Sequence, residues 1–367
     1  MTIDFTSCRR ILHKAYNGAN GKKIAIVYEG AACRKSLFSV RQDVFEFLNN
    51  FIRRAKKLFI SRFCKYIFLL INNLKVCTLS PLMGLSTICA IVYEGAVYML
   101  KFPPSAEDKP TTLSYTNSCF SEHIGSRIFR LLGIDAQETL LGTYVVRGKT
   151  KIVCACRDFT IEKEGSGKIF YDFYSIKNTV IDSAHEGRGT ELVDLEEAFS
   201  LQQFVAPDAV ARFFWRMFVV DALLGNFDRH NGNWGFLVDP SDNWRASIAP
   251  VFDCGSCLLP QADETTMKLV LADEEALNAR IFQFPTSAIH EHGRKISYYD
   301  FLIAGEHDDC NAALAEIVPR VELSAIYELI DQEPLLSDLQ KAFYKTYLTA
   351  RFERLLLPAY KKHCFAN

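Results

Sequence analysis

Three oxygen-bearing side chains, Asp228, Asn233 and Asp253, are the residues of this chain best suited to chemistry. Asp228 sits five residues before Asn233 in Gly225-Asn-Phe-Asp228-Arg-His230-Asn-Gly-Asn233-Trp-Gly-Phe-Leu237, and Asp253 follows 20 residues later in Val251-Phe-Asp253-Cys-Gly-Ser256. A carboxylate beside a hydroxyl, with an amide and a second carboxylate for a hard cation, is the oxygen set that Mg²⁺-dependent phosphoryl transfer uses.

The elements around these residues are readable. Residues 207–224 predict a helix: Pro207 suits the first turn, and Phe213, Met217, Val220 and Leu224 recur on one face. Gly225 stops it as a left-handed cap residue. A polar loop, 226–233, precedes a strand at 234–238, a turn at 239–243 and a returning strand at 244–252. Such a hairpin brings its open ends together, so Asn233 and Asp253 are expected to meet. Taken singly, an Asp-x-His, a Phe-Asp-x-Gly-Ser or an Asn-Gly is an ordinary turn; it is their joint order and spacing that points to a site.

The rest of the chain sets bounds. It has 367 residues, 49% apolar and 23% charged, and a net charge of −1, which fits a globular protein with no general pull towards nucleic acid. Its 12 cysteines form no paired Cys-x₂-Cys arrangement, which argues against a zinc site and fits a reducing, cytoplasmic setting. Residues 1–10 lack the apolar core of a secretory signal, and export by a specialised route would leave none.

A direct repeat interrupts the N-terminal part. Ala25-Ile-Val-Tyr-Glu-Gly-Ala31 recurs unchanged as Ala90-Ile-Val-Tyr-Glu-Gly-Ala96, 65 residues further on. Removing one unit joins the first copy to Val97-Tyr-Met-Leu-Lys101-Phe102 as a plain hairpin, so 32–96 reads as an insertion. Between 32 and 89 it carries ten Lys/Arg and two acids. Its apolar run at 58–71 is broken by Arg62 and Lys65, too short and too charged to span a bilayer. It reads as a tolerated insertion; the alternative for 53–75 is weak contact with an anionic membrane surface. Which copy pairs with 97–102 decides whether the small-residue loop at 17–22 stays attached to its strand.

The run Asn226-x-Asp228-x-His230-x-x-Asn233 followed by Phe252-Asp253 resembles the catalytic and metal-binding segments of the HipA-like serine/threonine kinases. The resemblance covers nearly everything outside 32–89. It implies an α+β, bilobal, protein-kinase-like fold, with a small β-rich lobe at 1–158 and a helical lobe at 159–367. It implies ATP and Mg²⁺ as cofactors and a Ser or Thr of a protein, including the chain itself, as acceptor, with no obligate partner. Asp228 would be the catalytic base, His230 would support its loop or touch phosphate, and Asn233 and Asp253 would hold Mg²⁺. Gly18, Ala19, Asn20, Gly21 and Lys22 would cover the phosphates, and Lys101 would bind them, paired with Glu122 on a helix at 117–132. Backbone groups from Cys156 to Asp158 would read adenine. The Asp-Arg-His-Asn-x-Asn core is also similar to phosphoinositide kinases, which keeps a lipid acceptor open. Two further readings are a toxin with a DNA-binding antitoxin, and a nucleotide-binding scaffold disabled by the insertion.

Overall fold

The structure is a computed structural model, and it describes residues 2–4, 6, 9–17, 23–29, 89–103, 116–146, 148–161, 167–181 and 189–364. The expected phosphate loop (Gly18, Ala19, Asn20, Gly21, Lys22) and the basic stretch 53–75 lie outside them. Two compact units divide the chain: residues 7–100, and residues 1–6 together with 101–367.

In the unit of residues 7–100, four antiparallel strands lie in the order β5–β4–β2–β3. They are β2 (Arg9–Asn17), β3 (Lys23–Glu29), β4 (Cys89–Tyr93) and β5 (Ala96–Lys101), whose last residue belongs to the other unit. The second copy of the repeat, not the first, forms the hairpin with β5: Tyr93 faces Ala96 and Ala90 faces Met99. Glu94 (φ 49°) and Gly95 (φ 78°) make its two-residue turn. The physical reason is loop closure, since the second copy adjoins β5 while the first would have to close over the whole insertion. The first copy instead pairs with β2, Ile11 facing Glu29 and Asn17 facing Lys23. β2 also pairs with β4, Ile11 facing Ala90.

The larger unit contains β1 (Ile3–Asp4), running parallel to β6 (Thr139–Val146). β6 forms a long hairpin with β7 (Lys149–Arg157). Helix α1 (Ser118–Leu131) packs on both strands and carries a nearly unbroken buried face, from Cys119 to Ser126. A second sheet, in the order β10–β9–β8, joins β8 (Ile169–Asp172), β9 (Gly235–Asp239) and β10 (Arg245–Ile248). β10 stops four residues before the expected end of its strand.

The central helix α4 (Pro207–Leu224) has the ends the sequence predicts, with Pro207 in its first turn and Gly225 capping it at φ 66°. It is preceded by α2 (Phe173–Val180) and α3 (Leu192–Leu201). Trp234, directly after the polar loop, stacks on Phe173 with ring centroids 4.1 Å apart and seals that loop against the core. Beyond it lie α5 (Glu264–Ala272), α6 (Glu274–Phe282), the short pair β11 (His290–Glu291) and β12 (Arg294–Lys295), and α7 (Tyr298–Ala304). Two further helices follow, α8 (Asp308–Ile317) and α9 (Leu323–Asp331). Pro319, in the 3₁₀ turn between them, cannot continue an α-helical ladder. α10 (Asp338–Arg351) starts with a capping box at Ser337 and Gln340 and runs through a π turn into α11 (Leu357–Cys364). Among the described residues no helix is long and apolar enough to cross a membrane.

Candidate active site

The loop after α4 is held by hydrogen bonds that its own sequence supplies. Asn226 donates through its side-chain amide to Asp221 Oδ1 (2.9 Å), and its Oδ1 accepts from the Asp228 N–H (3.0 Å). Tyr298 Oη donates to the Asn226 carbonyl at 2.6 Å. His230 Nδ1 accepts from the Gly232 N–H (3.1 Å) at the start of a 3₁₀ turn, Asn231–Asn233. Of the two roles open to His230, the geometry supplies loop support. The Asp228 side chain lies on an exposed residue in the middle of this frame. Although the residue as a whole is exposed, the loop packed around its carboxyl desolvates it and raises its pKa above the usual carboxylate value; nearby His230 opposes that shift and the Asp253 charge adds to it.

Asn233 is oriented from one side only. Its Nδ2 donates to the Asp228 carbonyl (2.8 Å), while its Oδ1 is buried with no hydrogen-bond donor. Buried amide oxygens are almost always paired, so an unpaired one is a place for a cation. Asp253 sits at φ 58°, a backbone state uncommon for residues other than glycine, which turns the chain directly after Phe252. The ring of Phe252 packs between Phe159 (5.7 Å) and Phe170 (5.4 Å).

Lys101 and Glu122 form the expected pair, Nζ to Oε2 at 2.9 Å. The same ammonium lies 2.8 Å from Asp253 Oδ1. The Glu122 side chain is 1% exposed, against 27% for Lys101 and 39% for Asp253. Burial works against the Lys101 charge, but Asp253 and Glu122 more than offset it and hold its pKa well above the usual value. Burial likewise pushes Asp253 up, yet the Lys101 charge and hydrogen bond outweigh it and the carboxyl stays below its ordinary range. Lys101 and Asp253 therefore stand ionised together at neutral pH.

Sequence reasoning missed the group that joins these parts. Arg229, 3% exposed, donates from Nε to Asp221 Oδ2 (2.9 Å) and from Nη1 to the Asn233 carbonyl (3.1 Å) and the Phe252 carbonyl. One guanidinium thus ties the residue before Asp253 to Asn233. Its only signal was an arginine next to Asp228, with an acid one turn before the end of α4.

The stretch 156–158 lies at the end of β7. Cys156 is buried opposite Thr139, its Sγ 3.9 Å from that of Cys154. The Arg157 N–H donates to the Glu138 carbonyl (2.8 Å), and the Arg157 carbonyl accepts from Gln137 (2.9 Å). Asp158 accepts from the N–H (2.9 Å) and hydroxyl (2.6 Å) of Thr160.

This arrangement has close relatives. The chain is 46% identical over 271 residues to the serine/threonine-protein kinase CtkA of Helicobacter pylori, covering 73% of this chain and 79% of that one. The crystal structure of a Helicobacter pylori proinflammatory kinase CtkA superposes with a TM-score of 0.69 at 43% identity, over 76% of this chain and 94% of that one. HipA of Shewanella oneidensis, solved with HipB and operator DNA, matches with a TM-score of 0.46 at 15% identity, over 95% of this chain and 96% of that one. The family model described as the HipA-like C-terminal domain matches residues 88–322, beginning at the second copy of the repeat and ending beyond the whole of the site. The chain therefore belongs to the HipA-like family and shares its α+β, kinase-like fold.

Proposed function

We propose that this chain is a protein serine/threonine kinase that uses ATP and Mg²⁺ and takes itself among its acceptors. The observation that carries the reading is the Lys101 ammonium set between Glu122 (2.9 Å) and Asp253 (2.8 Å), in the same unit as the loop that presents Asp228 and Asn233. Membership of the HipA-like family and the name of the Helicobacter pylori relative support it.

In the reaction, an acceptor hydroxyl oxygen bonds to the γ-phosphorus while the bond from that phosphorus to the β-bridging oxygen breaks, releasing ADP. Asp228 accepts the hydrogen bond of the attacking hydroxyl, fixes its direction and takes its proton. Its raised pKa suits that task, since a stronger base still ionised near neutrality holds the proton better. Lys101, kept charged by its two carboxylates, places a fixed positive group for phosphate oxygens. The unpaired Asn233 Oδ1 and the Asp253 carboxylate would hold Mg²⁺. When bound, the ion neutralises charge on the phosphates. Arg229 holds the two ligand segments together and His230 braces the base.

Transfer from γ-labelled ATP to the full chain and to casein tests this. Asp228→Ala and Asp253→Ala should each abolish labelling, and clear turnover in both sinks the mechanism. A second reading, a kinase impaired by its insertion, is favoured by the pairing of the second repeat copy with β5. A variant lacking residues 32–96 decides between them: equal ATP affinity in both chains favours a tolerated insertion, and a gain on deletion favours impairment.

A further inference from the structure

Helix α1 supplies Glu122, and one turn along Gly125 lets it approach the segment after Asp253 closely. A Cβ on Gly125 would come within 2.8 Å of Cys254 Cβ, and one on Gly255 within 3.2 Å of Glu122 Oε2. Such close approach fixes the distance between the two segments, and the apolar packing of α1 on β6 and β7 holds the helix against the sheet. Directional contacts add a register to that packing. The next residue, His123, provides them. Its Nε2 lies 2.9 Å from Glu333 Oε1, its Nδ1 lies 2.9 Å from Thr139 Oγ1, and Arg127, one turn along α1, donates to the same Glu333 oxygen at 2.6 Å. Glu333 sits between α9 and α10, 210 residues away in sequence. A carboxylate facing Nε2 requires the proton there, and Nδ1 is paired with the threonine hydroxyl. Both ring nitrogens are occupied, and the His123 and Glu333 side chains are only 6% and 9% exposed.

We propose that the His123–Glu333 pair is a positioning lock for the transfer site, fixing α1 at the rotation and height where Glu122 meets Lys101. The inference rests on the kinase reading of Lys101 and Glu122. Buried ionic groups contribute little net stability compared with apolar groups of equal volume. A buried His123–Glu333 contact beside the one acid of α1 that reaches Lys101 is therefore better explained by position than by stability. Because α1 also touches Cys254, a shift of the helix would disturb Asp253 as well as Lys101.

The test compares the full chain with His123→Leu, which fills the volume without hydrogen bonds, and His123→Gln, whose Nε2 can replace the donor to Glu333. One readout is the KM for ATP and for casein. The other is the rate at which acetic anhydride acylates Lys101 without nucleotide, followed by mass spectrometry. For His123→Leu we expect the ATP KM to rise about tenfold, the casein KM to stay put, and Lys101 to acylate several times faster. His123→Gln should stay within about twofold of the parent in both readouts. Parent values in His123→Leu, or a His123→Gln variant as impaired as the leucine one, would overturn the lock. If the parent chain transfers no phosphoryl group, the kinase reading fails and the acylation rates alone judge the lock. If His123→Leu does not melt cooperatively, Glu333→Gln, from the other side of the contact, must shift both readouts in the same direction.

Discussion

Arg229 grips Asp221 with two nitrogens, Nε at 2.9 Å from Oδ2 and Nη2 at 3.2 Å from Oδ1, and both side chains are almost wholly buried. The fork geometry matters because the remaining nitrogen is thereby aimed at the carbonyls of Asn233 and Phe252. Arg229→Met should leave Asp221 as an uncompensated buried charge and cost about 3–5 kcal/mol in urea unfolding. Arg229→Lys keeps the charge and loses the fork. It should unfold at a urea concentration between the two, while its phosphoryl transfer falls with that of the methionine variant. Transfer at the parent rate in Arg229→Lys would remove Arg229 from the positioning of the site.

Lys101 has two carboxylate partners of different burial, and they predict different outcomes. Lys101→Met leaves Glu122 buried without a counter-charge, and phosphoryl transfer should fall by about 10²–10³-fold, the loss typical of one preorganised electrostatic contact. Glu122→Gln keeps a hydrogen-bond acceptor for the ammonium and leaves Asp253 in place, so the fall should be smaller. Initial rates at saturating and limiting ATP separate the two, and equal losses would show that Glu122 does more than hold the lysine.

Gly225 ends α4 at φ 66°, and a Cβ there would sit 2.0 Å from Tyr347 Oη and 2.7 Å from Pro285 Cγ. Gly225→Ala therefore meets two penalties, about 1 kcal/mol for the left-handed backbone and about 1–3 kcal/mol for overpacking. Adding Tyr347→Phe removes the closest atom and should recover part of the loss. A melting series of parent, single and double variants reads this directly. No recovery in the double variant would place the cost in the backbone and the Pro285 contact, not in the tyrosine hydroxyl.

How much of this was legible in the sequence depends on the range of each signal. α4 was readable end to end because Pro207 and Gly225 mark its limits and its apolar positions recur with helical period. The Lys101–Glu122 pair came from the family resemblance, with register picking Glu122 on its helix. Arg229 with Asp221 was not readable, since an ionic pair across a loop leaves no periodic trace. His123 with Glu333 was further out of reach, because nothing in either segment points across 210 residues. The repeat was visible, but two identical copies offer the same side chains to β5, and only the shorter loop closure separates them.

Asp228 gives the last prediction, which concerns pH. Burial raises its folded pKa above the unfolded value of about 3.9, with His230 opposing and Asp253 adding. Between the unfolded and the folded pKa the native state binds more protons than the unfolded one, so stability falls as pH rises through that window. Above the folded pKa the ionised Asp228 is a fixed stability cost, and below the unfolded value that cost is absent. Asp228→Asn removes the charge and should melt higher than the parent at neutral pH in a chelating buffer, with no phosphoryl transfer. The gap should close as pH is lowered through the window. In the active parent the acid limb of kcat/KM should lie above the ordinary carboxylate range, because transfer needs the ionised base. A melting difference that stays constant from neutral pH to below the carboxylate range would assign the effect to packing and not to the charge of Asp228.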